Sequence, residues 1–148
     1  MRGPRTRSPA PTRRGPRLML APSARAEGPR RSPATAAVPQ HAFDVFASAA
    51  CDGVVALWDL RSPAAAARFS SHQNRRDPVQ LAFSPCCRFL ACGSEDRLAY
   101  VYDLRAGSPV ARLKGARDTV SAVAWNPLYP QLVTASFDGS LRFYTCKT

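Results

Sequence analysis

Two histidines, His41 and His72, five cysteines and ten acidic residues are the groups this sequence offers for acid–base, nucleophilic or metal chemistry. A catalytic nucleophile needs a base beside it and a third group to orient that base. No local pattern sets either histidine in that relation. The cysteines at 51, 86, 87, 92 and 146 lack the paired CxxC spacing of a zinc site. No glycine-rich phosphate loop follows a strand-like run. The residue pattern points away from an enzyme, a metal or a cofactor. The thiols read as reduced, which places the chain in the cytoplasm or the nucleus.

What recurs instead is turn chemistry. Asp52, Asp96 and Asp138 follow one another at a nearly constant step, and each is followed by an aromatic at the same offset: Trp58, Tyr102 and Tyr144. Asp52-Gly53 and Asp138-Gly139 suit tight hairpins, because glycine tolerates a positive φ. Asp96-Arg97 departs from this, so the middle hairpin is expected to use another turn. Two of the aromatics open an Asp-x-Arg group, Trp58-Asp59-Leu60-Arg61 and Tyr102-Asp103-Leu104-Arg105.

The elements that hold these groups repeat with the same period. "PVQLAFSP" (Pro78 to Pro85) returns as "TVSAVAWNP" (Thr119 to Pro127), and the step from Phe83 to Trp125 equals that from Asp96 to Asp138. Self-similarity at a period of roughly forty is the signature of a repeat architecture. The runs "QLAFS", "FLACG", "LAYVY", "AVAW", "QLVTAS" and "LRFY" are short, β-branched or aromatic, and bounded by Pro, Gly, Asp or Ser. Their alternate positions are apolar on both sides: Val54, Ala56 and Trp58 against Val55 and Leu57 in one, Leu98, Tyr100 and Tyr102 against Ala99 and Val101 in another. Such strands need cover on both faces, as in sheets stacked between sheets. In the last run Ser140 and Arg142 are expected to make one face more polar.

These three copies, with "FSP" in the preceding hairpin and Trp-Asp closing the strand, resemble the WD40 repeat. The resemblance covers about residues 43–145. It implies an all-β fold, a partial β-propeller of about three incomplete blades near 43–70, 79–113 and 120–145. The first blade would lack its inner strand and the third its outer strand. The chain then reads as a C-terminal fragment, or an alternative-start product, of a larger WD protein. The resemblance also implies a hydrogen-bonded set in each blade: the turn Asp, a His ahead of the blade, a strand hydroxyl and the strand Trp. Asp52, Asp96 and Asp138 match the first. His72 matches the second, with Ala116 in its place in the last blade. Ser48 and Thr134 match the third, with Cys92 between them. Trp58 matches the fourth, with Tyr102 and Tyr144 as replacements. The Asp-x-Arg groups, through Arg61 and Arg105, are similar to the WDxR box of substrate receptors of cullin-RING ubiquitin ligases, which faces an adaptor protein. The plainer reading of Asp59, Arg61, Asp103 and Arg105 is a charged loop after a strand.

Residues 1–40 differ in kind from residues 41–148. The first segment holds nine Arg against one Glu, a net +8; the second holds twelve basic and nine acidic residues, a net +3. Eight of the fourteen prolines lie in the first segment, so it is expected to be a disordered tail. Nucleic-acid binding through its arginines is the weaker reading, since stacking aromatics and RGG spacing are missing. No apolar run suffices to span a bilayer. The function expected is non-catalytic binding of other proteins, with self-association through open blade edges. The rivals are the ligase adaptor role, nucleic-acid binding, and an unstable product without function.

Overall fold

The computed structural model describes residues 34–37 and 44–145. These form β-strands and no helix. The strands are β1 (Ala34–Ala37), β2 (Val45–Ala50), β3 (Val55–Asp59), β4 (Ala65–Phe69), β5 (Leu81–Phe83), β6 (Phe89–Gly93), β7 (Ala99–Asp103), β8 (Ser108–Leu113), β9 (Val120–Trp125), β10 (Gln131–Ser136) and β11 (Leu141–Thr145). They make three antiparallel sheets, ordered β1-β2-β3-β4, β5-β6-β7-β8 and β9-β10-β11, here called blades 1, 2 and 3. The three-blade, all-β reading of the sequence holds. The third sheet has three strands among the described residues.

One expectation is corrected. Ala34–Ala37 lies inside the segment read as a disordered tail, yet it pairs with Ala47–Ala50 and supplies the inner strand that blade 1 was expected to lack. Its residues are small, so the usual strand signal of branched and aromatic side chains is missing. Pairing with the β2 edge satisfies its backbone instead. The remainder of the tail expectation lies outside the described residues.

Register defines two faces per blade. On one face the cross-strand pairs are Phe46 with Trp58, Leu90 with Tyr102 and Leu132 with Tyr144. On the other they are Ala47 with Leu57, Ala91 with Val101 and Val133 with Phe143. The second face of blade 1 packs on the first face of blade 2: Ala47, Ala49, Val55 and Phe69 meet Leu90, Cys92, Tyr100 and Tyr102. The second face of blade 2 packs on the first face of blade 3, where Ala91, Ala99 and Val101 meet Val123 and Leu132. Blade 2 is covered twice, and all five residues of β7 are buried. Trp58 therefore does not lie in the interface with blade 2. It sits half-buried on the opposite face, stacked on Phe46 at 6.0 Å.

Blades 2 and 3 meet through backbone as well as side chains. Gln80 N–H donates to the Ser121 carbonyl at 2.9 Å, Val120 N–H to the Ser94 carbonyl at 3.0 Å, and the Trp125 indole to the Ala82 carbonyl at 3.1 Å. Gly93 lies where these chains run closest, and a Cβ there would collide with the Val120 carbonyl oxygen. Gly93→Ala should therefore lower stability by about 2–3 kcal/mol, because backbone rather than a side chain must move. Urea unfolding checks this: the midpoint should fall with an unchanged slope, whereas Gly107→Ala, whose Cβ meets nothing within 4 Å, should show only the smaller backbone penalty of its positive φ.

Candidate functional site

The three repeated aspartates build one turn three times. Asp52 Oδ1 accepts from Val54 N–H at 2.9 Å, Asp96 Oδ1 from Leu98 N–H at 3.2 Å, and Asp138 Oδ1 from Ser140 N–H at 2.8 Å. The residue between is left-handed each time: Gly53 at φ +74°, Arg97 at +69° and Gly139 at +78°. The expectation of a different middle turn is thus corrected. The aspartate bond holds the same geometry even where arginine must take the unfavourable φ.

The remaining partners differ by blade. In blade 1 the Trp58 indole donates to Ser48 Oγ at 2.9 Å. In blade 2 the Tyr102 hydroxyl accepts from His72 N–H at 3.1 Å and pairs with His72 Nδ1 at 3.1 Å. Asp96 does not hydrogen-bond His72; its Oδ2 accepts instead from the Tyr100 hydroxyl at 2.6 Å. Burial, with that carboxylate beside it, pushes the Tyr100 phenol up to about 12. The buried Cys92 thiol points at the Gly93 carbonyl, and burial raises its pKa. In blade 3 the Tyr144 hydroxyl donates to the Lys114 carbonyl at 3.0 Å, and Asp138 Oδ2 accepts from Arg117 N–H at 2.7 Å.

Several contributors were not visible in the sequence. Ser94 Oγ accepts from Gln73 N–H at 2.9 Å and donates to the Gln73 carbonyl at 3.0 Å. Its equivalent one repeat later, Ser136, donates to the Asp118 carbonyl at 3.0 Å. The repeat step would have paired them. Glu95 gave no such signal. Its Oε1 collects Arg75, Arg76 and Asp77 N–H groups at 2.7, 2.5 and 2.8 Å and so folds the loop between blades 1 and 2. Burial alone would raise its pKa, but the three amides outweigh that and hold the carboxyl below its ordinary value.

The two Asp-x-Arg groups share a backbone turn and differ in their side chains. Asp59 Oδ1 accepts from Arg61 N–H at 2.9 Å, and Asp103 Oδ1 from Arg105 N–H at 2.8 Å. Arg61 also turns its guanidinium back on Asp59, at 3.0 and 2.8 Å. Those side-chain bonds lower the Asp59 carboxyl to about 2. Asp103 is buried and takes Arg88 instead, at 3.1 and 3.0 Å. Arg105 is exposed, and its side chain makes no ion pair among the described residues.

Between blades 2 and 3 lies an apolar groove of about 660 Å³, lined among others by Phe89, Val110, Leu113, Trp125, Leu132 and Tyr144. Leu128 and Tyr129 also border it, 83% and 64% exposed. Asn126 Oδ1 holds their loop by accepting from both backbone N–H groups, at 2.9 and 3.3 Å. The lining of the groove is mostly apolar. Among the described residues no three His, Cys, Asp or Glu side chains gather as metal ligands, and no helix is long and apolar enough to cross a membrane.

Two outcomes follow from this geometry. His72 is 3% exposed, its Nε2 has no hydrogen-bond partner among the described residues, and burial lowers its pKa from the ordinary 6.5. The native state thus resists a proton that the unfolded chain accepts. Its contribution to stability is full above the ordinary histidine value and falls as pH drops below it, toward the lower native pKa. Denaturation midpoints at pH 7.5 and 5.5 should differ more for the native sequence than for His72→Asn. At Arg97, φ +69° is costly for a side chain, so Arg97→Gly should raise stability by about 0.5–1 kcal/mol, net of glycine's extra unfolded-state entropy. Thermal melts at pH 7.5 check this.

Residues 65–103 and 107–145 each match the family described as WD domain, G-beta repeat. The WD repeat-containing protein 26 homolog of Drosophila melanogaster is 33% identical over 90 residues, which is 60% of this chain and 14% of that protein. The E3 ubiquitin-protein ligase COP1 of Arabidopsis thaliana is 31% identical over 109 residues, 66% of this chain and 16% of that protein. The chain thus spans about one seventh of the length of such relatives. Among solved structures, that titled "Structure of U3-55K" superposes with a TM-score of 0.66 at 22% identity, over 75% of this chain and 35% of that one. With two repeats matched in sequence and all three blades built on one turn, the chain belongs to the WD40 repeat family.

Proposed function

We propose that this chain is a non-catalytic protein-binding module, and that its partner enters the groove between blades 2 and 3. One observation carries the reading: Leu128 and Tyr129 stand 83% and 64% exposed beside an apolar groove of about 660 Å³. Large exposed apolar and aromatic side chains beside a pocket are the usual anchors of protein recognition. Propellers of this family generally serve as interaction scaffolds rather than catalysts, which agrees. The partner is a protein offering an apolar side chain to that groove, in the cytoplasm or the nucleus. The order of pieces in "FSPCCRFLACGSEDRLAYVYDLR" and "PQLVTASFDGSLRFYT" is similar to the C-terminal end of WD repeat-containing protein 27. That the chain is a portion of such a longer protein belongs to this proposal. The relatives matched above are other WD-repeat proteins.

A second reading has its own support. Arg105 is exposed and makes no ion pair among the described residues at the end of a Tyr-Asp-x-Arg group, and one relative is named a ubiquitin ligase. Arg105 is then the adaptor contact, and Arg61, turned back on Asp59, is not. Nucleic-acid binding by the Arg-rich segment would rest on residues outside those described.

Affinity capture of the tagged chain from cells separates these. Leu128→Ser with Tyr129→Ser should reduce the captured partner at least about tenfold, since hot-spot truncations exceed about 2 kcal/mol. Unchanged capture would overturn the groove. Loss of a cullin-RING adaptor on Arg105→Ala alone would favour the second reading.

A further inference from the structure

The two outer blades each leave one face without a described sheet against it, and the repeat register says what fits them. Leu141 and Phe143 of blade 3 are 65% and 71% exposed. Their equivalents one repeat earlier, Ala99 and Val101, are 1% and 7% exposed, because blade 3 covers them. These positions are buried in blade 2, where the next sheet covers them, and exposed in blade 3, where no described sheet lies against them and β11 is an edge strand. The cover that position takes inside this chain is the first face of the following blade: Leu132 with Tyr144 over blade 2, Leu90 with Tyr102 over blade 1. A third copy of that face exists in the chain, and no described sheet packs on it. It is the face of blade 1 that carries Phe46 and Trp58, with Ser48 opposite Ala56. Ser140 and Arg142 do not make the open face of blade 3 polar. The alternation of β11 puts Arg142 on the side of blade 2, within 3.4 Å of the position a Gly115 side chain would take.

We propose that two copies of this chain associate head to tail, the Val133–Phe143 face of blade 3 in one packing on the Phe46–Trp58 face of blade 1 in the other, twice over. The contact repeats an interface that the chain already makes twice internally. A heterologous contact closes into a ring if its rotation allows. Two sets of three blades give six, within the usual range of about four to eight for propellers. The inference stands apart from the groove, which lies on the other face of blade 3. A monomer can still capture a partner there, and a dimer can fail to.

The test is sedimentation equilibrium of the full 148-residue chain at low micromolar concentration. The expected mass is twice the 16.1 kDa of the chain. Phe143→Lys should return it to one chain with an unchanged circular-dichroism spectrum, because that side chain is 71% exposed in the single chain, while the melt should fall by what dimerisation contributed. Phe46→Lys should also give one chain by mass, from the opposite face, with some loss of stability since Phe46 stacks on Trp58. Mixing the two variants should restore a species of two chains, since one of its two contacts then retains both native faces. A monomeric native chain overturns the proposal, as does open-ended growth. So does a dimer that Phe143→Lys breaks and Phe46→Lys leaves intact, which would mean that blade 3 pairs with blade 3.

Discussion

Face-to-face packing of blades is the constraint on which the rest depends. A sheet whose two faces are both apolar is stable only between two others. Blade 2 meets this condition, and its β7 is buried along its whole length. Blade 3 meets it on one side, and β11 alternates between exposed and half-buried. The contact surfaces use a division of labour. One partner offers small residues, Ala47 and Ala49 or Ala91, Gly93 and Ala99, and the other offers Tyr102, Leu90 or Leu132. Small against large lets the sheets approach and still fills the space, at about 1.5–3 kcal/mol for each large apolar side chain fully buried.

The polar groups follow from that packing. Strands that stack edge to rim must turn sharply at each end, and each turn strands backbone N–H groups. The carboxylates take them: Asp52, Asp96 and Asp138 at one end, Asp59 and Asp103 at the other, Glu95 in the loop between blades. The acidic residues of the repeat thus serve its turns. The aromatic exchange has a similar cause. An indole can only donate, and in blade 1 it finds the oxygen of Ser48. In blade 2 the equivalent strand residue is Cys92, whose sulfur is a weak acceptor. A phenol there both accepts and donates, and Tyr102 turns to the His72 backbone and ring.

Periodicity made most of this fold legible. β3, β5, β6, β7, β9, β10 and β11 stand within a residue or two of the runs that alternation and turn residues set, because these runs carry branched or aromatic side chains between Pro, Gly, Asp or Ser. β1 escaped because its four residues are Ala, Thr, Ala and Ala within a run of Pro and Arg. Its stability comes from a neighbour's edge, which no local pattern records. Arg97 was misjudged for the reverse reason. The local preference against a positive φ is real, but the Asp96 bond and two paired strands override it. His72 with Tyr102, and Trp58 with Ser48, were recoverable from the repeat; Glu95 was not, since it acts once, in a loop that only one blade boundary has.

The two surfaces of blade 3 differ in what they can recognise, and the difference originates in strand alternation. Leu132 and Tyr144 face blade 2, where Trp125 is pinned to the Ala82 carbonyl and residues of the 126–130 loop and of β8 line the groove. A cleft can select one side chain by shape. Val133 and Phe143 face the other way, on a side of the sheet that no described sheet covers. A cleft with protruding Leu128 and Tyr129 suits a partner of different fold. A pleated face with Leu141 and Phe143 in alternate positions suits a copy of the repeat itself. Under the two proposals, one three-stranded sheet divides binding of another protein from binding of its own copy by the two-residue period of its strands, so a substitution at an odd position of β11 and one at an even position should report on different contacts.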